Sequence, residues 1–170
     1  MEDTPAPPVL RHAVRAVILA EDERVLLCRF SSPHPAVPSG ATAVWAAPGG
    51  GIEPGELPLV ALRRELHEET GLVLHDDPPH VWHQLLGATA DGYDGLVNDY
   101  FLVRTPRFDP RGALSDDDLA AEHISEMRWW RLQEIAGYPG PDLFSPRNLA
   151  TALATLIAGE LPATPLVLGL

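Results

Sequence analysis

Apolar residues come in short, strand-like bursts along the first part of the chain and fall into a helical rhythm only later. Residues 11–19 (RHAVRAVIL) and 25–30 (VLLCRF) are rich in β-branched and apolar side chains. The acidic turn Ala20-Glu21-Asp22-Glu23-Arg24 between them predicts a β-hairpin. A loop over 31–42, punctuated by Pro33, Pro35, Pro38 and Gly40, leads to a short strand at 44–47 that stops at Pro48. After a second loop with Gly49, Gly50, Gly51 and Pro54-Gly55 comes the strongest helical pattern. Leu59, Leu62 and Leu66 make an apolar stripe, Pro58 suits a first helical turn, and Gly71 suits a C-terminal cap. Strands are expected at about 81–90 and 96–103, joined by a turn over 91–95, and at 126–131 after an acidic loop near 115–123. Ser145 and Pro146 read as the N-cap and first residue of a closing helix that ends near Gly159. This order of elements points to an α+β or α/β sandwich, not to repeats or a helix bundle.

Composition narrows the class. The chain has 170 residues, 45% hydrophobic and 21% charged, which fits one ordinary globular domain with a sizeable core. A single cysteine, Cys28, cannot form an internal disulfide, so a reducing compartment is expected. The start, MEDTPAPPVL, lacks the basic and apolar regions of a signal peptide, and the apolar late stretch is broken by Gly159, Glu160, Pro162 and Pro165. The expectation is a cytoplasmic protein with no membrane partner. Net charge is −12, from 24 acidic and 12 basic residues, so a nucleic-acid polymer is an unfavourable partner. A small phosphate ester stays compatible if a bound metal inverts the local charge.

The chemistry concentrates in GGGIEPGELPLVALRRELHEETGL, Gly49 to Leu72. On a helix, Glu65, Glu68 and Glu69 project from neighbouring positions at the edge of the apolar stripe. Like charges so placed repel. Arg64 offsets part of this, and a hard divalent cation with oxygen ligands would offset more. The glycines before the helix let backbone approach the same point, so that a carbonyl could join the ligands. Runs of charge usually just face water. The residues around this run say otherwise.

The segment resembles the Nudix box, G-x5-E-x7-R-E-U-x-E-E-x-G-U, with U a bulky aliphatic residue. Gly50, Glu56, Arg64, Glu65, Leu66, Glu68, Glu69, Gly71 and Leu72 fill every defined position without a gap. A hairpin and strand before the box, and an RWW strand leading to a helix after it, resemble the rest of that family's fold. The resemblance implies an α/β/α sandwich, a mixed sheet between helices, over residues 11–158, with tails at 1–10 and 159–170. It also implies a magnesium- or manganese-dependent pyrophosphohydrolase, cleaving a diphosphate linkage in a nucleoside diphosphate-X compound. Glu65 and Glu69 would be direct metal ligands, Glu68 a ligand directly or through water, and the Gly49 carbonyl a backbone ligand. Glu56 would anchor the loop to Arg64, and Arg64 would orient the carboxylates.

Family members bring a further carboxylate from a loop after the box, as metal ligand or general base. Glu122 is the first choice here, Glu126 the second, and Asp116, Asp117 and Asp118 follow. Arg29, at the end of the second strand, resembles a position that touches substrate phosphate; a surface ion pair is the plainer reading. The large aromatics Trp45, Trp82, Tyr93 and Tyr100 could stack a base but more often fill core, as does one of Trp129 and Trp130. Cys28 reads as a small buried hydrophobe. The seven histidines show no metal-site spacing and receive no role. The loop over 31–42 is expected to line the substrate pocket. Marks that resemble ADP-ribose or diadenosine-polyphosphate subfamilies are missing, since Gly87 and Thr89 stand where a proline or tyrosine would. A (deoxy)nucleoside triphosphate is therefore the first substrate to consider. The alternatives are a catalytically inactive Nudix-fold binding or regulatory module, and an isomerase, for which Cys28 is poorly placed. Assembly as a homodimer is left open.

Overall fold

The computed structural model describes residues 4–34, 36–87 and 92–169. Thr89, Asp91 and Pro35, on which three of the expectations above rest, lie outside the described residues.

The first strand organises everything else. Strand β1 (Leu10–Ala20) buries both faces from Ala13 onward, as a strand in the middle of a three-layer sandwich must. Val14, Ala16 and Ile18 face helix α1 (Pro58–Thr70) and meet Ala61, Leu62 and Leu66. Val17 and Leu19 face the other way, where helix α4 (Leu149–Ile157) contributes Leu149, Leu153 and Leu156. The stripe read from the sequence is thus the side of α1 that meets the sheet, and α4 closes the opposite layer.

The expected hairpin forms, but it splays. Strand β2 (Val25–Ser31) is registered with β1 only at Leu19↔Val25, beside a turn in which the Ala20 amide donates to the Arg24 carbonyl. Beyond that pair the strands take different neighbours. Strand β1 runs parallel to β6 (Gly95–Thr105) along its whole length, and β6 pairs antiparallel with β5 (His80–Leu86). Strand β2 pairs with β3 (Ala43–Ala46) and with β7 (Ile124–Trp130). Into the gap comes β4 (Gly49–Gly51), a strand where a loop was expected, pairing Gly49 with Arg15 and Gly51 with Ala13. Gly49 has φ 145, and a Cβ there would collide with the Val14 carbonyl. Only glycine lets the chain come this close.

Three further segments differ from the expectation. The acidic stretch forms a short helix, α2 (Asp116–Ala121), because Ser115 and Asp118 make a reciprocal capping box and the acidic first turn suits a helix N-terminus. The closing helix starts at Leu149, not Pro146. Ser145 is held to the sheet instead, its amide donating to the Trp45 carbonyl beside β8 (Leu143–Phe144), while α3 (Leu132–Ala136) fills the connection after β7. Finally, residues 159–170 are more than a tail, since β9 (Leu166–Leu168) adds to the sheet beside β5. The strand order is β8-β3-β2-β1-β6-β5-β9, with β4 on β1 and β7 on β2. No helix among the described residues is long and apolar enough to cross a membrane.

A buried polar chain crosses this sheet. Arg15 Nε donates to Asn98 Oδ1, Asn98 Nδ2 donates to Gln84 Oε1, and the Tyr100 hydroxyl donates to the same oxygen. Gln84 Nε2 then donates to the Gly169 carbonyl beyond β9.

Candidate active site

The gap between β1 and β2 opens into a cleft of roughly 380 Å³, walled by β4, α1 and the two residues, Glu122 and His123, that join α2 to β7. Helix α1 presents Glu65 and Glu69 to it. Glu69 is 1% exposed and Glu65 9%; Glu65 sits within one turn of the buried Leu62 and Leu66, and Glu69 within one turn of Leu66. Across the cleft Glu122, the exposed residue just after α2, brings a third carboxylate, and an oxygen from each of the three lies within 4.8 Å of the others. Glu68 is half-buried beside them, 3.7 Å from Arg64.

The electrostatics of this trio are unfavourable without a cation. Burial pushes the Glu69 carboxyl well above its usual range, and repulsion from Glu65 adds to the rise. Glu65 and Glu122 are raised as well, each chiefly by burial, with neighbouring glutamates adding. The opposing contacts are few. The Gly49 amide donates to Glu69 at 3.2 Å, Arg64 donates to Glu65 at 2.9 Å, and the charge of Arg15 favours ionised Glu69 from a distance. Glu65 and Glu69 are buried and Glu122 is exposed; buried like charges such as the first two cost several kcal/mol unless paired or metal-bound. An all-oxygen set of converging carboxylates fits a hard divalent ion such as Mg²⁺ or Mn²⁺.

Arg64 holds the loop and helix together. It forms a two-pronged pair with Glu56, at 2.9 and 2.8 Å, and reaches the Gly51 carbonyl at 3.1 Å. The Arg64 bonds hold the Glu56 carboxyl down to about 2. Gly50 sits against Glu65, and a Cβ there would lie 2.5 Å from its carboxylate.

Other expected positions fall elsewhere. Arg29 does not line the cleft; it makes a two-pronged pair with Asp142 at 2.8 and 3.1 Å, which also binds the Trp45 indole. Glu126 is exposed on β7, opposite Arg29, and Asp116 pairs with Arg111. Trp45, Trp82, Tyr100 and Trp130 are core, Trp129 is half-buried and Tyr93 is exposed. Cys28 is fully buried, and burial pushes its thiol up, away from nucleophilic use. His34 and Ala36, from the loop over 31–42, line the cleft as that loop's expectation requires.

The cleft's cations went unread in the sequence. Arg11 and Arg15, with Ala13 between them, face it from β1, joined by Phe30, His34 and His123. The signal was present, since residues 11, 13 and 15 share one face of a strand and two arginines interrupt an otherwise apolar run. Arg15 is 6% exposed, donates to the Ala47 carbonyl and lies 5.5 Å from the centre of the Phe30 ring. The Phe30 ring also packs against that of His34, with centres 4.5 Å apart and planes tilted by 32°.

A family model for the NUDIX domain matches residues 9–151. The chain belongs to the Nudix family. Solved structures of similar fold include a MutT protein from Methanosarcina mazei Go1, with TM-score 0.63 and 20% identity over 91% of this chain and 98% of that one. The NUDIX domain of Shewanella oneidensis NrtR, solved with ADP ribose, has TM-score 0.61 and 20% identity over 89% and 90%. A C. elegans Ap4A hydrolase, solved as a binary complex, has TM-score 0.57 and 23% identity over 88% and 98%. At such identities the likeness is one of fold. As a Nudix protein with an intact box, this chain is a pyrophosphohydrolase acting on phosphorus anhydrides.

Proposed function

We propose that this Nudix protein hydrolyses a (deoxy)nucleoside triphosphate, or a closely similar nucleoside diphosphate-X compound, with Mg²⁺ or Mn²⁺ as cofactor. The observation that carries the reading is the convergence of Glu65, Glu69 and Glu122 oxygens within 4.8 Å, in a cleft that also holds Arg11 and Arg15. Glu65 and Glu69 hold the cation, with Glu68 beside them and the Gly49 carbonyl available from β4. The cation, when bound, neutralises the diphosphate and favours ionisation of water. Arg15, fixed by Asn98 and Ala47, binds phosphate oxygens, and Arg11 does so nearer the mouth. His34, backed by the buried Phe30 ring, offers its imidazole to a base. Glu122 takes a proton from the attacking water at a carboxylate oxygen. The water oxygen bonds to one phosphorus, the bridging P–O bond breaks, and the leaving phosphate carries off the electron pair. Arg64 keeps Glu65 aimed, and Glu56 keeps Arg64 aimed.

The test is a panel of nucleoside triphosphates, ADP-ribose and a diadenosine polyphosphate, read as phosphate or pyrophosphate release. The two latter compounds are included because one protein of similar fold was solved with ADP ribose and another is named an Ap4A hydrolase. Expected are turnover with Mg²⁺ or Mn²⁺, loss on chelation, and loss in Glu69→Gln. Tight nucleotide binding without turnover would instead favour an inactive binding module.

A further inference from the structure

Strands β5 and β6 carry a second group of metal-type ligands, remote in chemistry from the cleft. In a regular strand His80 and His83 would point to opposite faces. The register shifts between His80 and Trp82, so that His80 opposes Phe101 and Trp82 opposes Tyr100, leaving Val81 as an extra residue. Such a bulge re-aims side chains. It brings His80 round to the face of His83, which sits directly opposite Asp99. His80 Nε2 lies 2.9 Å from Asp99 Oδ1, and His83 Nδ1 lies 2.7 Å from the same oxygen. The His80 ring is stacked on Phe101 at 4.9 Å, which fixes its plane. The ligand atoms of all three residues lie within 4.8 Å of one another.

We propose that His80, His83 and Asp99 form a second metal site, for a late first-row divalent cation such as Zn²⁺. The site is three-cornered. An ion about 2.0–2.1 Å from each ligand needs those ligands ~3.3 Å apart, so each histidine–Asp99 distance has to lengthen by well under 1 Å. The side chains are 35%, 41% and 26% exposed, which gives an ion a way in and leaves room for water as the remaining ligand. Two imidazoles and one carboxylate select zinc, cobalt, nickel or copper over magnesium, which prefers oxygen alone. None of the three residues lines the cleft, whose carboxylates have the opposite preference. A bound ion clips β5 to β6 and therefore stabilises the fold.

The experiment titrates Zn²⁺ and Co²⁺ into the untagged full chain by calorimetry and absorption. It is repeated in Glu69→Gln to suppress binding in the cleft. Expected is one saturable zinc site that survives Glu69→Gln, resists excess Mg²⁺ and raises the melting temperature. His83→Ala weakens it at least about tenfold, the scale on which even outer partners of a metal act, whereas His75→Ala leaves it unchanged. His83→Cys, which keeps a ligand, retains cobalt and adds a thiolate-to-cobalt absorption band. Melting without metal checks that each variant folds. Zinc affinity equal in His83→Ala and parent, or no saturable site in Glu69→Gln, overturns the proposal.

Discussion

Glu122 and Glu126 belong to one short stretch of chain, yet their surroundings differ sharply. Both are exposed, but Glu122 follows α2 and meets Glu65 and Glu69, whereas Glu126 stands on β7 opposite Arg29. Glu122→Gln is therefore expected to lower the catalytic rate by roughly 10²- to 10⁴-fold, with most manganese affinity kept by α1. Glu126→Gln should stay near the parent rate. Steady-state kinetics and manganese titration of both variants check this, and the reverse ranking moves the role to Glu126. His34 supplies a second test. Its Nδ1 accepts the Ala36 amide at 3.0 Å, and burial, helped by the charge of Arg15, lowers its pKa from 6.5 to about 4. The unfolded chain then binds more protons than the folded one between those values, so His34 withdraws stability as pH falls from 6.5 through about 4. Denaturant titrations across that window should show the parent losing stability relative to His34→Gln; parallel curves would contradict the assignment. At this scale the box carboxylates were legible because helical spacing groups them and the complete box around them marks the group out. For Arg29 the plainer reading, an ion pair, is what the structure shows, but its partner Asp142, 113 residues away, could not be named from the sequence. Arg11 and Arg15 hid inside a strand that otherwise reads as plain core.

Helix α1 is held from both ends by backbone that packs against it. At its far end Gly71 takes the left-handed cap, with φ 79, and the loop over 111–114 supplies amides to the last carbonyls. Arg111 donates to Thr70, Ala113 to His67 and Leu114 to Glu68. Gly112 is pressed against this last turn, where a Cβ would collide with the Glu68 carbonyl. Gly112→Val should therefore destabilise the protein by about 1–3 kcal/mol, the usual effect of overpacking. It should also weaken manganese binding, because the carboxylates ride on the turn that moves. Thermal unfolding and calorimetry read the two effects, and an unchanged melting temperature would count against this packing. Elements whose own sequence carried the signal, such as β1, β2, β6 and α1, were legible. Those decided by a distant partner were not. Strand β4 exists because β1 leaves β2, β9 because β5 has a free edge, and α4 starts late because Ser145 bonds to Trp45.

Across the whole molecule, the buried polar chain ties the cleft to the far edge of the sheet. Gln84 is 0% exposed, accepts from Asn98 and Tyr100, and donates to Gly169. Gln84→Leu would leave those groups unsatisfied, at about 1–3 kcal/mol each, and would free Asn98 to release Arg15. The expected result is lower stability together with a KM that rises more than kcat falls, because Arg15 is proposed to bind phosphate. Kinetics with equal changes in both would show that the chain only supports the fold. The sandwich itself was legible from the order of elements, but this link was not, because it joins β1, β6, β5 and the C-terminal residues through side chains far apart in sequence. One last consequence concerns the exchange of amide protons with solvent. Strand β1 is paired to β6 from Leu10↔Gly95 to Ala20↔Thr105 and covered by a helix on each face, while β8 and β9 are short strands at the two edges. In heavy water the amides of β1 and β6 should exchange only when the entire domain opens, and so report its global stability. Those of β9 should exchange far sooner by local fraying, so that mass spectrometry of deuterium uptake would rank the layers from the middle outward.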